Sequence, residues 1–303
     1  MTQVCVTVGA TGAIFTSMRA LLSPGDEVVL VDPAYDCYAP AAELAGGIVK
    51  RVPMKPRDIT DELLASIRLS DSAGIARGLG LPRAGEHARL LRADDYFAID
   101  VEALEAAITT RTKVLVLNSP HNPTGISLSE QDVERVAELV LRHPSLTVVL
   151  DSVYEHCRFG ALNGGAKEAN TESLPALPRL RSIREVRHRC LEVGSIGKTF
   201  SCTGFKIGWV TGPADLVARV AGVNQWSQFC VSTPLQVASA ICLARAREPY
   251  DGFDTYYAWL SDMFRRKATA LTEGLLAAGL SPFVPQAGFF IMADTSALGM
   301  SMD

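Results

Sequence analysis

Lys198 stands in the run Gly194-Ser-Ile-Gly-Lys-Thr-Phe-Ser-Cys-Thr-Gly-Phe-Lys-Ile-Gly-Trp209, where small residues crowd around two cations eight positions apart, Lys198 and Lys206. A lysine amine among apolar neighbours is pushed toward its neutral form, and a neutral amine is a nucleophile able to condense with a carbonyl. Gly197-Lys198-Thr199 also has the ending of a phosphate-binding P-loop. That motif needs a glycine five positions before Gly197, where the chain carries Glu192, so the P-loop reading fails. A plain surface loop leaves the small residues beside two lysines and Trp209 without a cause.

Three other places offer complementary chemistry. Asp151 closes the apolar run Thr147–Leu150, at the strand edge where α/β sheets hold ligands; taken alone, a helix cap is an equal reading. Asn122 lies in Asn118-Ser-Pro-His-Asn-Pro-Thr-Gly125 and is either a hydrogen-bonding group or a turn residue before Pro123. Gly9-Ala10-Thr11-Gly12 falls between a strand and a helix, so its backbone N–H groups and the helix dipole suit a phosphate. A dinucleotide site is the alternative, since Asp32 ends the next strand about twenty residues on. The loop lacks the Gly-x-Gly-x-x-Gly spacing, which ranks that reading lower.

These residues need a scaffold, and the chain supplies short apolar runs alternating with helical patterns, the signature of a parallel sheet covered by helices. Strands are expected at Val4–Val8, Glu27–Val31, Ile48–Val52, Lys113–Leu117, Thr147–Leu150, Cys190–Val193 and Gly208–Val210. Helices are expected at Ala13–Leu22, Tyr38–Ala45, Glu102–Ala107, Ser129–Arg142 and Pro213–Val220. The class is therefore α/β. Residues 55–100 show no strand pattern and read as a surface insertion. Pro175–Arg189 is irregular, and its arginines, Arg179, Arg181, Arg184, Arg187 and Arg189, read as a solvated face. From Tyr256 a long amphipathic helix leaves the sheet, followed by a strand over Gly288–Ala293. The expected division is a large domain over 1–255 and part of a small α+β domain over 256–303.

Length and composition narrow the function. A chain of 303 residues with 48% hydrophobic and 20% charged residues is ordinary for a soluble enzyme of about two domains. The net charge of −4 argues against a general nucleic-acid binder. No apolar run approaches the ~20 residues that span a bilayer. The seven cysteines are scattered without a Cys-x-x-Cys pair, as in reduced thiols of a cytoplasmic protein. The five histidines have no metal-ligand spacing. The chain opens directly on Val4-Cys-Val-Thr-Val8, without a signal-peptide pattern. A start inside what reads as a buried strand leads us to expect a preceding segment, and a transit peptide there would make the address mitochondrial.

The Lys198 block resembles the Schiff-base lysine signature of class I and II aminotransferases, the fold-type-I enzymes dependent on pyridoxal 5′-phosphate (PLP). Asn118–Gly125 is similar to that family's Asn-Pro-x-Asn-Pro-Thr-Gly loop, and Asp151-Ser-Val-Tyr154 to its Asp-x-x-Tyr strand end. From Val6 to about Asp294 the chain looks like the kynurenine aminotransferases (glutamine transaminase K, cysteine-conjugate β-lyase). Gly25-Asp-Glu-Val-Val, Asp36-Cys-Tyr and Pro285-Gln-Ala-Gly-Phe-Phe carry that likeness.

The resemblance implies a role for each residue. Lys198 would carry PLP, Asp151 would pair with the ring nitrogen, and Tyr154 and Asn122 would hold the ring oxygen. Tyr35 would stack on the ring unless it is only a core tyrosine. Ala10, Thr11, Ser195 and Lys206 would cradle the phosphate, Lys206 standing where many relatives have arginine. Asn122 and Phe229 would border the substrate; Phe229-Cys230 takes the place of a Phe-His pair that reaches into the neighbouring subunit. The implied activity is transamination between an amino acid and a 2-oxo acid in a homodimer, with β-lyase chemistry as a side reaction. The resemblance also implies an arginine, in a C-terminal part that this sequence lacks, that grips the substrate carboxylate; without it, weak or absent substrate binding is expected even if PLP attaches to Lys198. A catalytically silent PLP-binding protein and, more distantly, a nucleotide-binding oxidoreductase remain as other readings.

Overall fold

The computed structural model describes residues 2–55, 91–159 and 177–295. In chain order its strands are β1 (Thr2–Val8), β2 (Glu27–Asp32), β3 (Ile48–Pro53), β4 (Leu91–Arg92), β5 (Thr112–Asn118), β6 (Thr147–Asp151), β7 (Cys190–Ser195), β8 (Ile207–Pro213), β9 (Ser281–Val284) and β10 (Ala293–Asp294). Seven form one sheet in the order β1-β8-β7-β6-β5-β2-β3. Only β8 runs against its neighbours, β1 and β7; the other pairs are parallel.

The central strands read as unbroken apolar runs because both faces are covered. Along β2, Val28 and Leu30 enter one core while Val29 and Val31 enter the other, and β5 divides Val114 and Val116 from Leu115 and Leu117 in the same way. The first core is closed by α1 (Gly9–Leu21), α2 (Tyr38–Leu44) and α7 (Ala214–Ser227), through Ile14, Met18, Ala42 and Val217. The second is closed by α4 (Val101–Ala107) and α5 (Glu130–Arg142), through Leu104, Val136, Leu139 and Val140. A capping box between Ser129 and Asp132 starts α5 and satisfies backbone donors that the helix itself leaves open.

Several expectations need correction. Val4–Val8 is an edge strand, not a buried one: Val4 is 62% exposed, and among the described residues β1 pairs only with β8. The helix expected from Ala13 begins at Gly9, so the glycine tetrad is its first turn rather than a loop before it. The stretch read as a strandless insertion ends in β4 and a short helix, α3 (Ala93–Tyr96), with Leu91 and Ala93 buried; residues 56–90 lie outside the described ones. β4 joins β9 and β10 in a three-stranded sheet. The strand expected at Gly288–Ala293 is present only as β10, because Gly288 turns with φ 82 and sends its N–H to the Cys157 carbonyl. A helix absent from the expected set, α8 (Thr233–Arg245), has only Ser239 buried, so no apolar stripe marked it in the sequence.

The arginines of 175–189 are not uniformly solvated. Arg179 and Arg181 both bind the buried Glu192, at 2.9 and 2.8 Å, and Arg189 donates to the Val140 and His143 carbonyls. Arg184 and Arg187 are exposed as expected. The long helix from Tyr256 is α9 (Tyr256–Ala277). Among the described residues no helix is long and apolar enough to cross a membrane.

Candidate active site

Parallel strands bring their C-terminal ends to one edge, and here that edge carries Asn118 of β5, Asp151 of β6 and Ser195 of β7. Asn118 and Asp151 are paired in register, and the Asn118 amide donates to the Asp151 carbonyl at 2.9 Å. Above this edge lies a cleft of about 600 Å³, its open mouth included, lined by Ala10, Thr11, Tyr35, Asn122, Asp151, Tyr154, Ser195, Lys198 and Lys206 among others. Nine of the ten residues expected to form the site therefore meet in one cavity.

Asp151 forms its floor. It is 3% exposed; Oδ2 accepts the Tyr38 phenol at 2.6 Å and Oδ1 accepts the Val153 N–H at 3.2 Å. Burial pushes its pKa up, and the Tyr38 hydrogen bond, the Val153 amide and the charge of Lys198 pull it back. Among the described residues no Lys, Arg or His pairs with it. A carboxylate buried without a cation is costly, so this floor suits a ligand that brings a charged N–H.

Lys198 occupies α6 (Ile196–Thr199), a single turn started by the Ser195 side chain, which accepts from Gly197 N at 3.0 Å. The lysine is half-buried rather than sealed among apolar groups. Its amine lies 5.0 Å from the centre of the Phe289 ring and 5.7 Å from that of Tyr154, within cation–π range. The small residues around it now have a cause: a Cβ at Gly194 would stand 2.3 Å from the Trp209 indole nitrogen. Beside Lys198, Asn122 Nδ2 donates to the Tyr154 hydroxyl at 3.3 Å, and burial raises the pKa of that phenol.

At the other end of the cleft α1 begins without a side-chain cap and without an acidic residue in its first turn. Its open N–H groups suit an anion. Lys206, in the left-handed region at φ 55, lies against Gly9. The Ser195 hydroxyl donates to the Ile207 carbonyl at 3.0 Å, so it must rotate before it can serve a phosphate. Tyr35 sits at the lip, 36% exposed, its ring edge-on to Tyr38. Phe229 is the one expected site residue not brought in: it is 78% exposed and lines no part of its own chain's cleft.

Sequence reasoning missed four contributors. Tyr38 follows Tyr35 by three residues, and Asn118 ends the strand beside that of Asp151; both signals were in the sequence. Thr203 lines the cleft from within the lysine block. Phe289 reaches Lys198 from a distant segment, and nothing in local spacing announces it.

Residues 1–67 and 85–302 match the family described as aminotransferase class I and II. The chain is 34% identical to a kynurenine–oxoglutarate transaminase of Dictyostelium discoideum over 304 residues, covering 100% of this chain and 60% of that protein. It is 33% identical to mouse kynurenine–oxoglutarate transaminase 1, covering 99% of this chain and 61% of the relative. Among solved structures, an Escherichia coli methionine aminotransferase superposes with a TM-score of 0.74 at 29% identity, covering 99% of this chain and 64% of the other. A yeast protein described as a putative kynurenine aminotransferase gives 0.78 at 28% identity, covering 99% and 60%. The chain thus spans about 60% of the length of its sequence relatives. With the match extending over nearly all of its residues, the chain belongs to the class I and II aminotransferases, a family whose cofactor is pyridoxal 5′-phosphate.

Proposed function

We propose that the cleft binds PLP and that the protein transfers an amino group from an amino acid to a 2-oxo acid. The observation that carries this is the convergence on one cavity of Lys198 and the buried Asp151, which no cation among the described residues contacts directly. A protonated pyridine nitrogen would supply the partner Asp151 lacks. The uncapped start of α1, with Lys206 beside it, offers the phosphate a place. When bound, PLP supplies an electron-withdrawing ring that stabilises negative charge on an attached amino acid's Cα.

In this reading Asp151 holds the proton on the ring nitrogen. Tyr154 and Asn122 hold the ring oxygen, and Tyr35 covers the ring face. Lys198 would hold the cofactor through its amine and, as a free amine, would act as the general base that removes the proton from the amino acid's Cα and as the acid that gives it up again. For a substrate with a leaving group on Cβ, the same removal of the Cα proton by Lys198 would be followed by departure of that group with its bonding electrons, giving β-lyase chemistry.

Kynurenine, glutamine and methionine are the amino acids to try first; the names of the relatives support the first and third. A homodimer is proposed as well. Its support is the exposure of four large apolar side chains close in sequence, Trp226, Phe229, Val237 and Ile241, at 84, 78, 55 and 54%. All seven cysteines are free, which supports a reducing compartment such as the cytoplasm.

The test is spectroscopic. Purified protein mixed with PLP should develop the visible band of a lysine-bound cofactor, and Lys198→Ala should not. Adding each amino acid should bleach that band, and a 2-oxo acid should restore it. Absence of the band sinks the cofactor reading; a band that no amino acid alters sinks transamination.

A further inference from the structure

Tyr38 is 3% exposed at the start of α2, and its phenol is hydrogen-bonded to Asp151 at 2.6 Å. That is the short end of O–H···O geometry, typical of a bond to an ionised acceptor. We propose that Tyr38 is the positioning residue of the cofactor's ring-nitrogen contact: it fixes the Asp151 carboxylate in place and keeps it ionised for a partner on the ring. This rests on the reading of the cleft as a PLP site.

The groups that face Asp151 divide by their effect. Lys198 favours its ionised form. Cys37, Tyr35 and Tyr154 crowd the same corner as acids whose ionisation Asp151 itself opposes. Desolvation alone drives the carboxyl toward neutrality, and a neutral carboxyl cannot hold a proton on a pyridine nitrogen. Tyr38 counters this from an invariant state. Burial first, then the charge of Asp151, holds its pKa well above the ordinary phenol value, so it stays a donor through the working pH range. The Val153 amide, at 3.2 Å on the other oxygen, is the weaker of the two anchors.

The test compares two ligands on one protein: PLP, and its deaza analogue with C–H in place of the ring nitrogen. Tyr38→Phe keeps the ring that packs edge-on against Tyr35 and removes only the hydroxyl. A hydrogen bond to a charged group carries enough free energy that its loss should weaken PLP binding about tenfold or more. Because the analogue makes no bond to Asp151, its affinity should fall less than about twofold. Equal losses for both ligands would mean that Tyr38 only shapes the pocket, and no loss for PLP would mean that it does nothing; either overturns the proposal. In an Asp151→Asn background, removing the phenol should leave PLP affinity unchanged, and a tenfold loss there overturns it too. Wild-type protein that binds neither ligand sinks the cofactor reading, and this proposal with it, whereas wild-type binding with an unaffected Tyr38→Phe sinks this proposal alone.

Discussion

Gly208 and Gly9 meet backbone to backbone: a Cβ on Gly208 would stand 2.4 Å from the Gly9 carbonyl carbon and 2.7 Å from the Ala10 nitrogen. The contact presses β8 against the first turn of α1 and so sets where the helix's open N–H groups point. No flexible side chain is available to yield, and Gly208→Ala must move one element off the other. Overpacking of this kind costs about 1–3 kcal/mol. We expect PLP affinity to drop at least about tenfold, and phosphate-free pyridoxal to lose less. Fluorescence titration of both ligands checks this; equal losses would mean that the contact is merely structural.

Glu27 gives a prediction in pH. It is 1% exposed and bound by Lys50 at 2.8 Å, Arg111 at 2.8 Å and Thr109 at 2.6 Å. The Lys50 bond foremost, then that of Thr109, lowers its pKa from 4.5 to about 2 against the opposing effect of burial. A carboxylate depressed in the folded state contributes stability that is fully present above its unfolded pKa and fades as pH falls toward the folded one. Urea melts of wild type and Glu27→Gln should therefore differ by a constant amount from neutral pH down to about 5. The gap should narrow below 4.5. A gap independent of pH would show that the charge contributes nothing.

The chemistry-bearing residues were legible where a short unbroken apolar run stops at a polar side chain. Asp151 and Ser195 end strands, and Lys198 and Asn122 follow strand ends, so the sheet alone brings them to one edge. Phe289 was not, because its role depends on another segment crossing to Lys198, and Tyr38, though marked by its spacing from Tyr35, has a partner 113 residues away that no spacing names. The same applies to β4 and β9, which pair across most of the chain. Pro282 within so short a strand hid β9 from pattern reading. Local periodicity encodes what a segment is, while register between distant segments leaves no local trace.

Glu192 shows how a charge run can mislead. It lies on β7, its side chain 9% exposed, between Arg179 and Arg181; Arg181 also holds Thr211 at 2.9 Å and Arg179 also holds Glu155. Glu192→Gln keeps the shape and removes the charge facing two guanidinium groups. Both arginines remain partly exposed, so the cost should be about 2 kcal/mol, below that of breaking a fully buried pair. The exposed Arg184→Gln should stay within about 0.5 kcal/mol. Urea denaturation of the two variants decides it, and indistinguishable midpoints would mean that the network is inert.

Gly125 joins the Asn122 loop to the segment that carries Phe289. Its φ is 70, and its carbonyl accepts the N–H groups of Gln286 and Ala287 at 2.9 and 3.0 Å. A Cβ there would lie 2.3 Å from Pro285 Cβ, so both conformation and space demand glycine. Around it Gln286 accepts from Ser127 N at 3.0 Å, and Gly288 donates to the Cys157 carbonyl at 2.8 Å. These bonds hold Phe289 over the Lys198 amine. Gly125→Ala should destabilise the protein by about 2 kcal/mol or more, from strain at positive φ together with the clash. The loss should be local: hydrogen exchange at the Gly288 and Phe159 amides should accelerate well beyond that in β5, because opening of the segment need not disturb the sheet. Uniform acceleration across both would show that the Pro285–Phe290 segment and the sheet open together, and that Gly125 anchors the whole fold rather than the aromatic cover over the lysine.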